Sequence, residues 1–131
     1  MLEAKVKISH IAVYVSDLEK SKVFYESYFA GIAGEKYRNR NTGLQTYFVD
    51  FDGDVQLELM YSPLRTKHSD SDTIGYAHIA FSVGSRAEVD QLTERIKLDG
   101  YPVASAPRVT GDGYYESVVL DPDGNCIEIT E

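Results

Sequence analysis

The chain predicts an α+β fold built from two tandem βαβββ modules, with mixed β-sheets flanked by helices. Three observations predict it. Two runs alternate their residues at the period of a strand. Each is followed at once by Ser-x-x-Glu, a signal for a helix start. Features of four unrelated kinds then recur at nearly one spacing.

The first strand is read over Val6 to Val15, where Ile11, Val13 and Val15 alternate with His10, Ala12 and Tyr14. Ser16 and Glu19 form the capping box, and Phe24, Tyr25, Tyr28 and Phe29 give an apolar helical stripe that Gly31 and Gly34 end. Leu44 to Phe51 and Val55 to Tyr61 read as a hairpin turned by Asp52-Gly53. Polar residues 62–75 read as a linker, so module 1 spans approximately 6–61 and module 2 approximately 76–131 of a single domain, 1–131.

Module 2 repeats the plan. In Tyr76 to Val83, Ile79, Phe81 and Val83 alternate with His78, Ala80 and Ser82. Ser85 and Glu88 form the second box, Val89, Leu92 and Ile96 give the helical stripe, and Gly100 ends it. Val103 to Val109 is a short strand, and Glu116 to Leu120 and Cys126 to Thr130 are strands joined by the Asp121–Asn125 turn. His-Ile-Ala recurs at an offset of 68, the capping serines at 69, Glu58 and Glu128 at 70, and the Asp-Gly turns at 71. Such agreement implies duplication of one unit. A half is too small to bury a good core alone, so two halves, or two chains, should pack together.

Strand alternation turns this repeat into a candidate site. The helix should cover the face of Ile11, Val13 and Val15, or of Ile79, Phe81 and Val83, which leaves His10 and His78 on the opposite face. Leu57 and Leu59, or Ile127 and Ile129, send Glu58 and Glu128 the same way. Singly, such a histidine is more often a core residue and such a glutamate a solvent-facing one. Jointly, at repeat-equivalent positions, His10, Glu58, His78 and Glu128 point to a metal site. Two imidazoles and two carboxylates suit Zn²⁺, Ni²⁺, Co²⁺, Mn²⁺ or Fe²⁺ better than copper or calcium, and leave positions for water or substrate.

Composition narrows the function classes. The net charge of −8 disfavours a nucleic-acid partner, which would require a basic surface. No apolar run is long enough to span a bilayer, and Met1 to Lys7 is charged without an h-region, so a cytoplasmic protein is expected. The single cysteine, Cys126, fits a reducing compartment and reads as a small pocket-lining or buried thiol on the face of Glu128. His68 reads as a solvated loop histidine, and Thr110 to Tyr115 as a hairpin turn. Tyr14, Tyr76 and Arg108 are candidate substrate-pocket residues; Arg65 and Arg108 could supply an anion contact, with a surface arginine as the first reading of each.

The motifs His10-Ile-Ala-Val-x-Val-Ser-Asp-Leu-x-x-Ser-x-x-Phe24-Tyr25, Gln56-Leu-Glu58-Leu, Gly75-Tyr-x-His78-Ile-Ala-Phe and Asp121-Pro-Asp-Gly-Asn-x-Ile-Glu128 span the chain. Together they resemble the vicinal oxygen chelate superfamily of glyoxalase I, bleomycin resistance and dioxygenase proteins, and above all its glyoxalase I-like (lactoylglutathione lyase-like) members. The resemblance implies cupped sheets around one divalent metal ion, Zn²⁺ or Ni²⁺ first. It implies a lyase or isomerase that moves a proton next to a carbonyl, from hemithioacetal to 2-hydroxyacyl thioester, with Glu128, or else Glu58, as the base. It also implies a small-molecule substrate and a homodimer in which ligand pairs from two chains meet, or else one site within a chain. Tyr14 and Ser62 stand where an arginine and an asparagine anchor glutathione in bacterial glyoxalase I. The alternatives are an epimerase of acyl thioesters and a non-catalytic small-molecule binding or resistance protein.

Overall fold

Alternation along the strands decides which side of each sheet is greasy, and each helix lies on that side. The structure is a computed structural model describing residues 4–70 and 72–131. Residues 1–3 of the charged N-terminal stretch and position 71 of the linker lie outside the described residues. The chain divides into two units, Met1–Thr66 and Lys67–Glu131, with the division inside the polar stretch read as a linker.

In the first unit, β1 (His10–Tyr14) leads through helix α1 (Leu18–Phe29) to the short strands β2 (Ile32–Ala33) and β3 (Tyr37–Arg38). The hairpin β4 (Gln45–Asp50) and β5 (Gln56–Tyr61) follows. The sheet order is β1-β5-β4-β2, with β3 also on β4. β1 runs parallel to β5 and the other pairs are antiparallel. Tyr47, Val49, Leu57 and Leu59 are buried on one face, where β4 and β5 meet α1 and its buried Leu18, Phe24 and Tyr25. Each aliphatic side chain so buried contributes about 1.5–3 kcal/mol.

The second unit repeats this with β6 (His78–Ser82), α2 (Arg86–Leu98), β7 (Val103–Val109), β8 (Tyr115–Leu120) and β9 (Cys126–Thr130), in sheet order β6-β9-β8-β7. Again the first and last strands are parallel neighbours. Val119, Ile127 and Ile129 pack with Val89 and Ile96 of α2. Two buried hydroxyls satisfy one another there: Thr93 Oγ1 lies 2.7 Å from Ser117 Oγ and 2.6 Å from the Val89 carbonyl oxygen.

Several local expectations change. The N-cap of α1 is Asp17, whose Oδ1 accepts from the Lys20 N–H at 3.0 Å, not Ser16. Glu19 is drawn away from a capping box: Lys36 Nζ approaches its carboxylate to 2.6 Å, and the Tyr47 hydroxyl donates to it at 2.9 Å. Lys36 first, and Tyr47 next, hold the Glu19 carboxyl below its usual range. The second cap is as expected, with Ser85 Oγ accepting from the Glu88 N–H. The left-handed residue ending α1 is Ala30, at φ 54°, not a glycine. Gly31 serves packing instead, because a Cβ there would stand 2.6 Å from Val49 Cγ1. Ile11 is 37% exposed although Val15 is 4% exposed, because β1 is an edge strand with its start beyond the reach of α1. The predicted strand starts at Val6 and Tyr76 move to His10 and His78. Among the described residues no helix is long and apolar enough to cross a membrane.

Gly31→Ala is expected to destabilise the protein by about 1–3 kcal/mol through overpacking. Ser21 Oγ is fully buried and has no hydrogen-bond partner among the described residues. Ser21→Ala is therefore expected to be neutral or to stabilise by about 1 kcal/mol. Urea denaturation of the two variants measures both.

Candidate metal centre

Register decides which side chains meet. Ala12 pairs with Glu58 across β1 and β5, and Ala80 pairs with Glu128 across β6 and β9. Each histidine lies two residues before its alanine, on the same face and one diagonal step from the glutamate. The methyl side chain of the alanine leaves that diagonal open. His10 Nε2 lies 3.8 Å from Glu58 Oε1, and His78 Nε2 lies 3.0 Å from Glu128 Oε2. The glutamate side chains are only 16% and 18% exposed, and the histidines 42% and 43%, so neither glutamate is an ordinary solvated strand residue.

Neighbouring groups orient the His10 ring. Phe48, on the same face of β4, meets it edge-on at 5.2 Å and 83°. Ser9 Oγ lies 3.3 Å from Nδ1, which leaves Nε2 facing Glu58. In the metal-binding tautomer Nδ1–H would donate to that hydroxyl. On the second unit, the turn before β9 is held by buried Asp121, whose carboxylate accepts from the Asp123 and Asn125 backbone N–H groups and from Asn125 Nδ2.

The donors fit a divalent ion. Two ligand atoms each about 2.1 Å from a metal stand about 3.0 Å apart at a right angle and about 3.4 Å apart in a tetrahedron. The His78–Glu128 separation matches the first value, and a small side-chain rotation brings His10–Glu58 within range of the second. Among the described residues neither unit gathers three His, Cys, Asp or Glu side chains around one such point. Each supplies a pair.

One carboxyl escapes the repeat reading. Glu116 on β8 lies diagonally across from Glu128, two positions from Val118, which pairs with Glu128. Burial, then a hydrogen bond with Glu128 and the charge of that carboxylate, push the Glu116 carboxyl above its usual range, while Arg108 pulls it down. Alternation of Glu116, Val118 and Leu120 could have placed it on this face. Its counterpart in the first unit is Thr46, so a search for matched residues passes over it.

Tyr14 is 46% exposed on the His10 face of β1, with the Arg65 guanidinium carbon 5.1 Å from its ring centroid. Arg108 lies on strand β7. It pairs in register with Glu116, and its Nη1 donates to the Glu116 carbonyl oxygen at 3.4 Å. Tyr76 precedes β6 and is fully exposed. Cys126 is exposed, not buried. His68 is an exposed loop histidine as expected, and its Nε2 lies 2.9 Å from Asp123 Oδ1. The 110–114 stretch turns the β7–β8 hairpin as expected, with the Thr110 N–H donating to the Tyr114 carbonyl oxygen. A groove of about 470 Å³ bordered by Asp90, Glu94 and Leu98 runs along α2, on the helix side of its sheet and so opposite the ligand-bearing face.

Comparison with known proteins gives one consistent result. Residues 7–129 match the family model described as Glyoxalase/Bleomycin resistance protein/Dioxygenase superfamily. The uncharacterized protein YqjT of Bacillus subtilis is 31% identical over 129 residues, covering 92% of this chain and 94% of that protein. A glyoxylase/bleomycin resistance protein/dioxygenase domain from Frankia sp. EAN1pec superposes with a TM-score of 0.83 at 20% identity, over 97% of this chain and 98% of that one. The trypanothione-dependent glyoxalase I of Leishmania major superposes with a TM-score of 0.77 at 23% identity, over 97% and 87%. These likenesses at low identity establish the fold.

The raised Glu116 carboxyl has a consequence for stability. The folded chain holds this proton more tightly than the unfolded chain. Its contribution is fully present below the unfolded value, about pH 4.3, and is lost as pH rises through the higher folded value. In chelator-treated protein, Glu116→Gln should match wild type at pH 4 and exceed it at pH 7.5, as read by urea midpoints.

Proposed function

This chain belongs to the Glyoxalase/Bleomycin resistance protein/Dioxygenase superfamily, and on that premise we propose that it is a metal-dependent lyase or isomerase of the glyoxalase I type. The observation that carries the reading is the duplicated histidine–carboxylate pair, 3.8 Å apart in one unit and 3.0 Å in the other, on the sheet faces opposite the helices. His10, Glu58, His78 and Glu128 are the proposed ligands of one divalent ion, Zn²⁺ or Ni²⁺ first. Such an ion, when bound, supplies a Lewis acid for the negative charge that develops on substrate oxygens.

The chain's own groups would then handle the proton. A carboxylate oxygen of Glu128 takes the proton from the carbon bearing the sulfur and the hydroxyl. It returns that proton to the neighbouring carbonyl carbon. The hydroxyl proton passes between the two oxygens. A hemithioacetal thereby becomes a 2-hydroxyacyl thioester, with no net oxidation. Glu128 is preferred to Glu58 because Glu116 gives it a hydrogen-bond partner that fixes the direction of its lone pairs. His10, braced by Phe48 and Ser9, would hold its share of the ligand set in place. The reading includes a small-molecule substrate and a cytoplasmic homodimer.

Adding Ni²⁺ or Zn²⁺ to chelator-treated protein is expected to raise its stability by about 2.7 kcal/mol at a hundredfold excess over Kd. Glu58→Gln and Glu128→Gln should each weaken that gain. Glu128→Gln should also lower kcat on hemithioacetals by about 10²- to 10⁴-fold, the usual contribution of a general base. Thermal melts that ignore both ions would overturn the reading in favour of a non-catalytic binding protein. Turnover of acyl thioesters with inert hemithioacetals would favour an epimerase.

A further inference from the structure

We propose that a divalent ion depends unequally on the two modules: Ser9 is a positioning residue that presets His10 as a ligand, and His78 has no counterpart to it. The proposal rests on the metal reading above and names what sets the affinity of that site.

The two halves match in their donors and differ in what surrounds them. The His10 and His78 side chains are exposed to the same degree, 42% and 43%, so burial does not distinguish them. The offset of 68 that relates the histidines also relates Ser9 to Ala77. The strand registers relate Phe48, opposite Glu58, to Val118, opposite Glu128. One half thus carries a hydroxyl and an aromatic ring where the other carries a methyl and an isopropyl group.

Both differences act on the His10 ring. Ser9 Oγ lies 3.3 Å from Nδ1, and Phe48 meets the ring edge-on with centroids 5.2 Å apart. Gln56, the neighbour of His10 in register on β5, does not compete for that nitrogen, because its Nε2 donates to Asp50 Oδ1 at 2.8 Å. Among the described residues His78 meets the Glu128 carboxylate and makes no second hydrogen bond and no ring contact.

A neutral imidazole binds a metal through the nitrogen without the proton, and the partner of the other nitrogen decides which one that is. The torsion that turns the ring has broad minima, so an unbraced ring spends time with neither nitrogen facing the carboxylate. A hydroxyl at Nδ1 accepts the N–H there and leaves the Nε2 lone pair toward Glu58. A half-turn of the ring would put carbon where Nδ1 meets Ser9 and lose that bond. Ser9 therefore fixes both the direction of one ligand and the side that carries its proton. Ala77 can do neither for the other.

The test measures Zn²⁺ affinity in chelator-treated wild type, Ser9→Ala and Ser9→Thr, by competition with a chromogenic chelator. Ser9→Ala should raise the Kd by about 10- to 100-fold, the usual cost of removing the group behind a metal-bound histidine. Ser9→Thr keeps a hydroxyl and should stay close to wild type. A second readout needs no metal: the side-chain nitrogen resonances of the three histidines in chelator-treated protein at about pH 8, where an ordinary imidazole is neutral. In wild type the His10 proton should sit on Nδ1. Ser9→Ala should shift it toward Nε2 and leave His68 and His78 unmoved. An unchanged Kd in Ser9→Ala, an equal loss in Ser9→Ala and Ser9→Thr, or His10 signals that do not respond would each overturn the proposal. So would a shift spread over all three histidines, which marks a general loosening of the fold. Wild type that binds neither Zn²⁺ nor Ni²⁺ would sink the metal reading, and the nitrogen signals would still decide whether Ser9 sets the His10 ring.

Discussion

The parallel pairing of the first and last strand of each module is the constraint on which the site depends. Two parallel neighbours cannot be joined by a tight turn, so the chain must cross over, and the helix and middle strands are that crossover. The crossover puts an apolar helix on one face of the sheet and leaves the other free of it. Register then does the rest: with Ala12 beside Glu58 and Ala80 beside Glu128, each histidine comes within one side-chain length of its glutamate. Slipping either pair by one residue would send the histidine or the glutamate into the core face.

Much of this was legible in the sequence. The period-2 runs around His10 and His78 and the shared offset near 70 residues announced two similar strand–helix–strand stretches, and the two sheets show the same first-to-last strand pairing. The ligand-type residues stood out because two of three histidines occupy equivalent positions. What stayed hidden has physical reasons. β2 and β3 are two residues each, too short to show a period. The cap of α1 shifted to Asp17 because Glu19 had a stronger attraction, the Lys36 ammonium, that comes from a different element. The contact of His68 with Asp123 leaves no local signal, because the two residues lie far apart along the chain.

Glu116 shows the limit of arguing from repeats. A duplicated unit directs notice to what both halves share, and the two halves do share their histidine and glutamate. They differ at the position of Thr46 and Glu116, where one half carries a neutral hydroxyl and the other a second carboxyl beside Glu128. Equal donors with unequal surroundings separate two tasks. The matched residues carry the donor set common to both halves, and the unmatched one gives Glu128 alone a neighbouring carboxyl.

The alanines opposite the glutamates have a consequence for how this architecture can vary. Ala12 and Ala80 are exposed strand positions, where β-branched or aromatic residues would normally be favoured. Here a larger side chain would occupy the diagonal through which imidazole and carboxylate approach. The chain thus accepts weaker strand propensity at two surface positions to keep that gap. Ordinary rules for improving a β-strand would, at these two positions, stiffen the scaffold and close the gap together.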